Sequence, residues 1–274
     1  MVAMPLAVQL YTLRDLTKSD FAAVATELAR MGYAGVELAG YGNLQSAAEV
    51  RRVLDDHGLR VAGSHAPIEA LERDLGRVLD DNAVLGNRNV VCPFLPEDRR
   101  RTADDWMKIA ATFNRIGGEC RARGFEFAYH NHSFEFQKFT LCDPIETAAE
   151  ANPPTDSAQL ESTGLELLFR HTDPALVRAE LDVYWVQHGG QDPIVWIKKL
   201  GGRCLLLHLK DMAEGGEKKF APVGTGVLDF NEILKAARDA GVKWGIVEQD
   251  VTYDTPPLAA VRTSFENLRR LGAV

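Results

Sequence analysis

Short apolar runs alternate along the chain with longer stretches in which hydrophobic residues recur at helical spacing. The runs predict strands over Leu6–Leu10, Gly35–Leu38, Arg60–Ser64, Asn89–Cys92, Glu126–Asn131, Ala179–Val183, Cys204–Leu209 and Gly245–Glu248. Amphipathic stretches predict helices over Phe21–Met31, Ala47–His57, Asp104–Arg123 and Asn231–Ala240, which stop at Gly32, Gly58, Gly124 and Gly241. Strands alternating with helices imply a parallel α/β sheet with crossover helices. Eight such units in 274 residues favour one closed (β/α)8 TIM barrel, a single domain over 1–274, rather than an open doubly wound sheet. No Gly-rich dinucleotide fingerprint follows the first strand, where a nucleotide-binding sheet would carry one. One region, 138–163, breaks the rhythm. It reads as a long loop after strand five, either a surface insertion or a lid over the barrel mouth.

Composition narrows the function classes. Hydrophobic residues make up 46% and charged residues 26%, ordinary globular values that leave enough apolar chain for a large core. The net charge of −8 argues against nucleic-acid or anionic-membrane partners. No stretch approaches the ~20 apolar residues of a membrane span, and the first residues lack a basic leader followed by a long apolar core. Cys92, Cys120, Cys142 and Cys204 are far apart and form no CxxC pair, so reduced thiols in a cytoplasmic protein are expected.

The chemistry collects at the carboxyl ends of the predicted strands, the end that forms the active face of a barrel. Glu37 closes strand two and His65 follows strand three. Strand five ends in Tyr129-His130-Asn131-His132. Asp182, His208 and Glu248 end strands six, seven and eight. Strand alternation puts His130 and His132 on one face, and Leu206, His208 and Lys210 on another shared face. A single such histidine or carboxylate is ordinarily structural. Four adjacent strands each ending in a ligand-type residue point to a divalent metal site instead, and imidazoles favour zinc, manganese, cobalt or iron over magnesium. Gly224 and Gly226 in Pro222-Val223-Gly224-Thr225-Gly226 predict a tight loop, with a phosphate cradle as the lesser alternative.

On Tyr129-His130-Asn131-His132, Leu181-Asp182-Val183-Tyr184-Trp185, His208-Leu209-Lys210-Asp211 and Pro222-Val223-Gly224-Thr225-Gly226, the chain resembles the sugar phosphate isomerase/epimerase superfamily. These are the xylose-isomerase-like TIM barrels, whose relatives include inosose dehydratase and ketose 3-epimerases. The resemblance runs from Gln9 to Asp250. It implies a divalent ion, manganese first, held by Asp182, His208, Glu248 and a residue of strand five. Many relatives have Glu there. Here His130 takes that place, with His132 and then Glu135 as the other candidates. Trp185 is a second departure, standing where several relatives have histidine.

The resemblance further implies a sugar or polyol substrate and proton abstraction next to a carbonyl. Glu248 and His132 are the expected acid–base pair, an imidazole near ~6.5 being able to exchange protons near neutrality. Glu37, His65, Trp185 and Lys210 are expected at the substrate. A metal-dependent isomerase or epimerase is the leading reading. A lyase eliminating from a keto-sugar, keto-inositol or 3-keto-glycoside is the alternative, and a non-catalytic sugar-binding barrel is the reading from another class. A DNA-repair barrel with a three-zinc cluster fits poorly with seven histidines and a charge of −8. Pairing as a homodimer is a further expectation.

Overall fold

The computed structural model describes residues 4–141 and 160–273. Eight parallel strands close into a barrel: β1 (Leu6–Gln9), β2 (Gly35–Leu38), β3 (Arg60–His65), β4 (Asn89–Cys92), β5 (Glu126–His130), β6 (Arg178–Asp182), β7 (Cys204–Leu209) and β8 (Trp244–Val247). They follow one another around the ring in chain order, and β1 closes on β8 through Leu6–Gly245, Ala7–Ile246 and Val8–Val247. Every predicted strand is present to within a residue or two. Predicted strand six ran on into Val183, but the Asp182 carboxylate accepts the Trp185 N–H at 2.9 Å and starts a helix there.

The helices lie outside. They are α1 (Arg14–Met31), α2 (Ala47–Asp56), α3 (Ile68–Arg73), α4 (Leu75–Val84), α5 (Ala103–Ala122), α6 (Gly164–Arg170), α7 (Val183–His188), α8 (Pro193–Leu200), α9 (Phe230–Ala240) and α10 (Pro257–Arg270). The predicted start at Phe21 marks only the second part of α1. The backbone leaves helical angles at Asp20, whose carboxylate accepts the Ala23 N–H and restarts the helix. A capping box of Thr102 and Asp105 opens α5, and another of Thr163 and Glu166 opens α6. Among the described residues no helix is long and apolar enough to cross a membrane. The segment after β5 begins and ends as an antiparallel two-stranded hairpin of Lys138–Leu141 and Leu160–Thr163. The remainder of that predicted loop, and with it the choice between insertion and lid, lies outside the described residues.

The core has two shells. The larger one packs the outer strand faces against the helices, with Leu28, Trp106, Phe113, Phe127 and Ile233 buried in it. A small inner cluster of Ala7, Ala62, Val91, Ala128, Leu206 and Ile246 fills the barrel. Alternation then decides what comes next on the inner face. Two residues beyond Ala7, Ala128, Leu206 and Ile246 stand Gln9, His130, His208 and Glu248. The barrel interior is thus apolar toward the amino ends of its strands and polar toward their carboxyl ends.

Candidate metal centre

The polar half of the barrel has two tiers. In the lower one, Glu37 Oε2 lies 2.8 Å from Gln9 Nε2, 3.2 Å from His65 Nε2 and 2.7 Å from His208 Nε2. Glu180 Oε2 lies 2.9 Å from His65 Nε2, 3.1 Å from His130 Nδ1 and 3.2 Å from His208 Nε2. Glu37 can enter only because residue 63 is glycine, since a Cβ there would sit 2.3 Å from Glu37 Oε1. The charges compensate within the tier. Burial alone would raise Glu37, but His65 and His208 outweigh it and hold the carboxyl well below its usual range. In return, the Glu37 and Glu180 charges overcome burial and lift His65 to about 10, and His208 well above its ordinary value.

The upper tier opens to solvent. His208 Nδ1 is 2.8 Å from Glu248 Oε2, and Lys210 Nζ touches Glu248 Oε2 at 2.7 Å, Asp250 Oδ1 at 2.9 Å and Asp182 Oδ2 at 3.1 Å. One donor atom from each of His130, Asp182, His208 and Glu248 falls within 4.8 Å of the others, and a second such group is His65, His130, Glu180 and His208. The upper set suits a divalent ion on chemical grounds. Two imidazoles and two carboxylates are a transition-metal donor set. Asp182 Oδ2 and His130 Nδ1 are buried with no hydrogen bond of proper geometry. Burial, then the His208 charge, keeps the His130 imidazole neutral, as a ligand must be. Lys210 and His208 overcome burial to keep Glu248 ionised.

The expected site residues divide as follows. His130, Asp182, His208 and Glu248 converge. Lys210 lies among three carboxylates, which overcome burial and hold it cationic. His65 and His132 line the open cavity above the donor set, a space of about 600 Å³. Glu37, expected at the substrate, is fully buried beneath His208 and does not line that cavity. His132 departs from the expected proton exchange near neutrality, because burial and the Lys210 charge push its imidazole down to about 3. Trp185 stands behind His132 at 5.4 Å between ring centroids rather than in the cavity wall. Glu135 accepts from the Tyr129 hydroxyl at 2.6 Å and the His132 N–H at 2.9 Å, so it locks the loop after β5 instead of joining the donors.

Gly224 and Gly226 serve the tight loop, and their N–H groups are taken. Both donate to Asp211 Oδ2, at 2.9 and 2.8 Å, while Met212 and Leu228 donate to Oδ1 at 2.8 and 3.2 Å. Gly224 adopts φ +80°, and a Cβ on Gly226 would meet the Met212 carbonyl at 2.1 Å. No free amide cradle for a phosphate is left at this turn. Three residues went unread in the sequence: Gln9, Glu180 and Asp250. Glu180 and Asp182 share an inner face by simple alternation, which was the available signal. Burial, then the Glu248 charge, raises Asp250 to about 6.

A closed eight-stranded parallel barrel with its ionisable side chains gathered at the carboxyl ends of the strands has the layout of TIM-barrel enzymes. The chain belongs to the family described as xylose isomerase-like TIM barrel, whose profile matches residues 25–271. It is similar to a sugar phosphate isomerase/epimerase from Parabacteroides distasonis ATCC 8503, with 27% identity and a TM-score of 0.79 over 98% of this chain and 94% of that one. A structure of the IOLI protein with a bound zinc atom shares the fold at 14% identity and a TM-score of 0.71, covering 98% of both chains. Among curated proteins, inosose dehydratase of Lacticaseibacillus casei is 25% identical over 166 residues, 54% of this chain and 48% of that protein. The chain spans about half the length of the curated relatives it matches.

Proposed function

We propose that the protein is a divalent-metal-dependent enzyme that removes a proton beside the carbonyl of a sugar or polyol, isomerising or epimerising it. The observation that carries this reading is the convergence of His130, Asp182, His208 and Glu248 within 4.8 Å at the floor of an open cavity. Manganese or zinc would be held by those four side chains and would supply polarisation of the substrate carbonyl, making the adjacent C–H acidic. Glu248 is the base in this reading, kept ionised by Lys210 and His208. Lys210 fixes the carboxylates of Asp182, Glu248 and Asp250 relative to one another. His132, neutral at the cavity wall, offers a hydrogen bond to a substrate oxygen. His65 faces the same cavity from β3.

Elimination is the second reading. It is favoured by His130 at the end of β5, which leaves the site without a β5 carboxylate to act from the opposite face. Both reactions begin with the same proton transfer, so one experiment tests them together. Keto-sugars, ketose phosphates, keto-inositols and 3-keto-glycosides are incubated in D₂O with the manganese-loaded enzyme. Deuterium uptake or product release that is lost on chelation, and lost by ~10²–10⁴-fold in Glu248→Gln, is the expected result. Binding without exchange or release across the panel would mark a sugar-binding barrel instead.

A further inference from the structure

The cavity above the donor set has two unlike halves. Its β5–β8 side carries the ionisable groups, whereas its β1–β4 side is formed by Tyr11, Ala39, Gly40, Pro67, Pro93 and Phe94, with His65 at its base. Among those six, the Tyr11 hydroxyl is the one side-chain group able to hydrogen-bond, and the prolines lack even a backbone N–H. Sugar hydroxyls placed there would exchange water for a surface offering one side-chain partner, the Tyr11 hydroxyl. An apolar group would not incur that loss.

Two aromatic rings on this side are exposed yet held in place. Tyr11 is 45% and Phe94 46% exposed, against the burial usual for such rings. The Arg14 guanidinium lies 4.3 Å over the Tyr11 ring and is anchored on the carbonyls of Tyr11 and Asp250 at 2.8 and 3.0 Å. Phe94 packs edge-on to Phe134 and His132, at 5.4 and 5.6 Å between centroids. Strands β1 and β4 stand three places apart in the ring, so the two rings reach the cavity from different sides. Pre-positioned aromatic walls bind flat apolar groups with little ordering cost.

Charge removes the main competitor. Lys210 is the one lysine or arginine among the described residues lining the cavity, and Asp182, Glu248 and Asp250 already surround it. A phosphate inside the cavity would face Glu248 and Asp250, while the arginines nearest the two rings, Arg14 and Arg100, are not among the residues lining it.

We propose that the substrate, within the proton-abstraction reading above, is an uncharged keto-glycoside whose apolar, ring-shaped aglycone lies between Tyr11 and Phe94. A glycosidic bond blocks the anomeric carbon, so the carbonyl beside the departing proton is a ring ketone on the sugar. The sugar faces the β5–β8 donors, and the aglycone fixes which carbon meets Glu248.

The test is equilibrium binding by calorimetry to the manganese-loaded protein, with phenyl 3-ketoglucoside, methyl 3-ketoglucoside and glucose 6-phosphate as probes. The phenyl glycoside is expected to bind about tenfold or more tightly than the methyl one, a difference of ~1.4 kcal/mol, and the phosphate to bind most weakly. In Tyr11→Ala and Phe94→Ala, which remove exposed rings without opening the core, the phenyl-to-methyl ratio should fall toward unity. Equal affinity for the two glycosides, preference for the phosphate, a ratio that survives both substitutions, or no binding of any probe would each overturn the assignment. Binding is read on the manganese-loaded Glu248→Gln protein, which lacks the proposed base and leaves the probes intact, so a failed ratio leaves the deuterium-exchange result standing. Absent exchange with an intact ratio would instead refute the chemistry and leave the subsite.

Discussion

Glu37 Oε2 lies 2.7 Å from Nε2 of His208, reaching across the barrel from β2 to β7. The same imidazole turns Nδ1 toward Glu248 at 2.8 Å. With Nε2–H donated to Glu37, loss of the Nδ1 proton leaves the tautomer that presents Nδ1 to the upper tier. A carboxylate behind a histidine ligand orients the ring and raises its basicity.

Glu37→Gln is therefore expected to weaken divalent-metal binding by ~10–100-fold while His208 remains in place. Titration of the apoprotein with manganese or zinc against a competing chelator measures this directly. Unchanged affinity would mean that Glu37 does not orient His208.

The loop after β7 depends on Asp211, which is fully buried and accepts from four backbone N–H groups. Asp211→Ala leaves those donors without their acceptor, at a cost on the order of 3–5 kcal/mol. For a domain of this size that lowers Tm by roughly 10 °C. Asp211→Asn, which keeps one acceptor oxygen, should lose less. A thermal shift within about a degree of wild type for the alanine variant would contradict the geometry.

Glu135 supplies the pH dependence. Burial raises its carboxyl from 4.5 to about 7, despite bonds from the Tyr129 hydroxyl and the His132 N–H that pull the other way. The folded state therefore holds this proton longer than the unfolded chain. The stabilisation from this group is fully present below pH 4.5 and is lost as pH rises to about 7. Across that window the loss should be on the order of 3 kcal/mol. Denaturant unfolding of the metal-free protein at several pH values, compared with Glu135→Gln, isolates it. The variant should show the flatter profile, and parallel profiles would rule out titration of Glu135 in this range.

The eight strands were legible because each is a short apolar run bounded by turn residues, and the upper donor set because its members stand at strand ends. The lower tier was not. Glu180 sits inside β6 between Ala179 and Leu181, where a carboxylate reads as a strand-edge charge unless the barrel interior is already known to be polar at that height. Glu37 reads as a substrate contact because it closes a strand at the carboxyl-end face, while its partner His208 is 171 residues away, on a strand that does not adjoin β2. No local pattern carries that contact. The Gly224–Gly226 turn was recognised as tight, but its organising carboxylate, 13 and 15 residues earlier, was not. The neutral state of His132 likewise comes first from burial and then from the Lys210 charge, both set by barrel closure.

The central claim is that one divalent ion is held by His130, Asp182, His208 and Glu248. Metal content after reconstitution with manganese or zinc, in wild type and in His130→Ala, His132→Ala, Asp182→Ala and His208→Ala, tests it most directly. Wild type and His132→Ala should each retain about one equivalent, and the other three should lose it. Full occupancy in His130→Ala together with loss in His132→Ala would contradict the assignment.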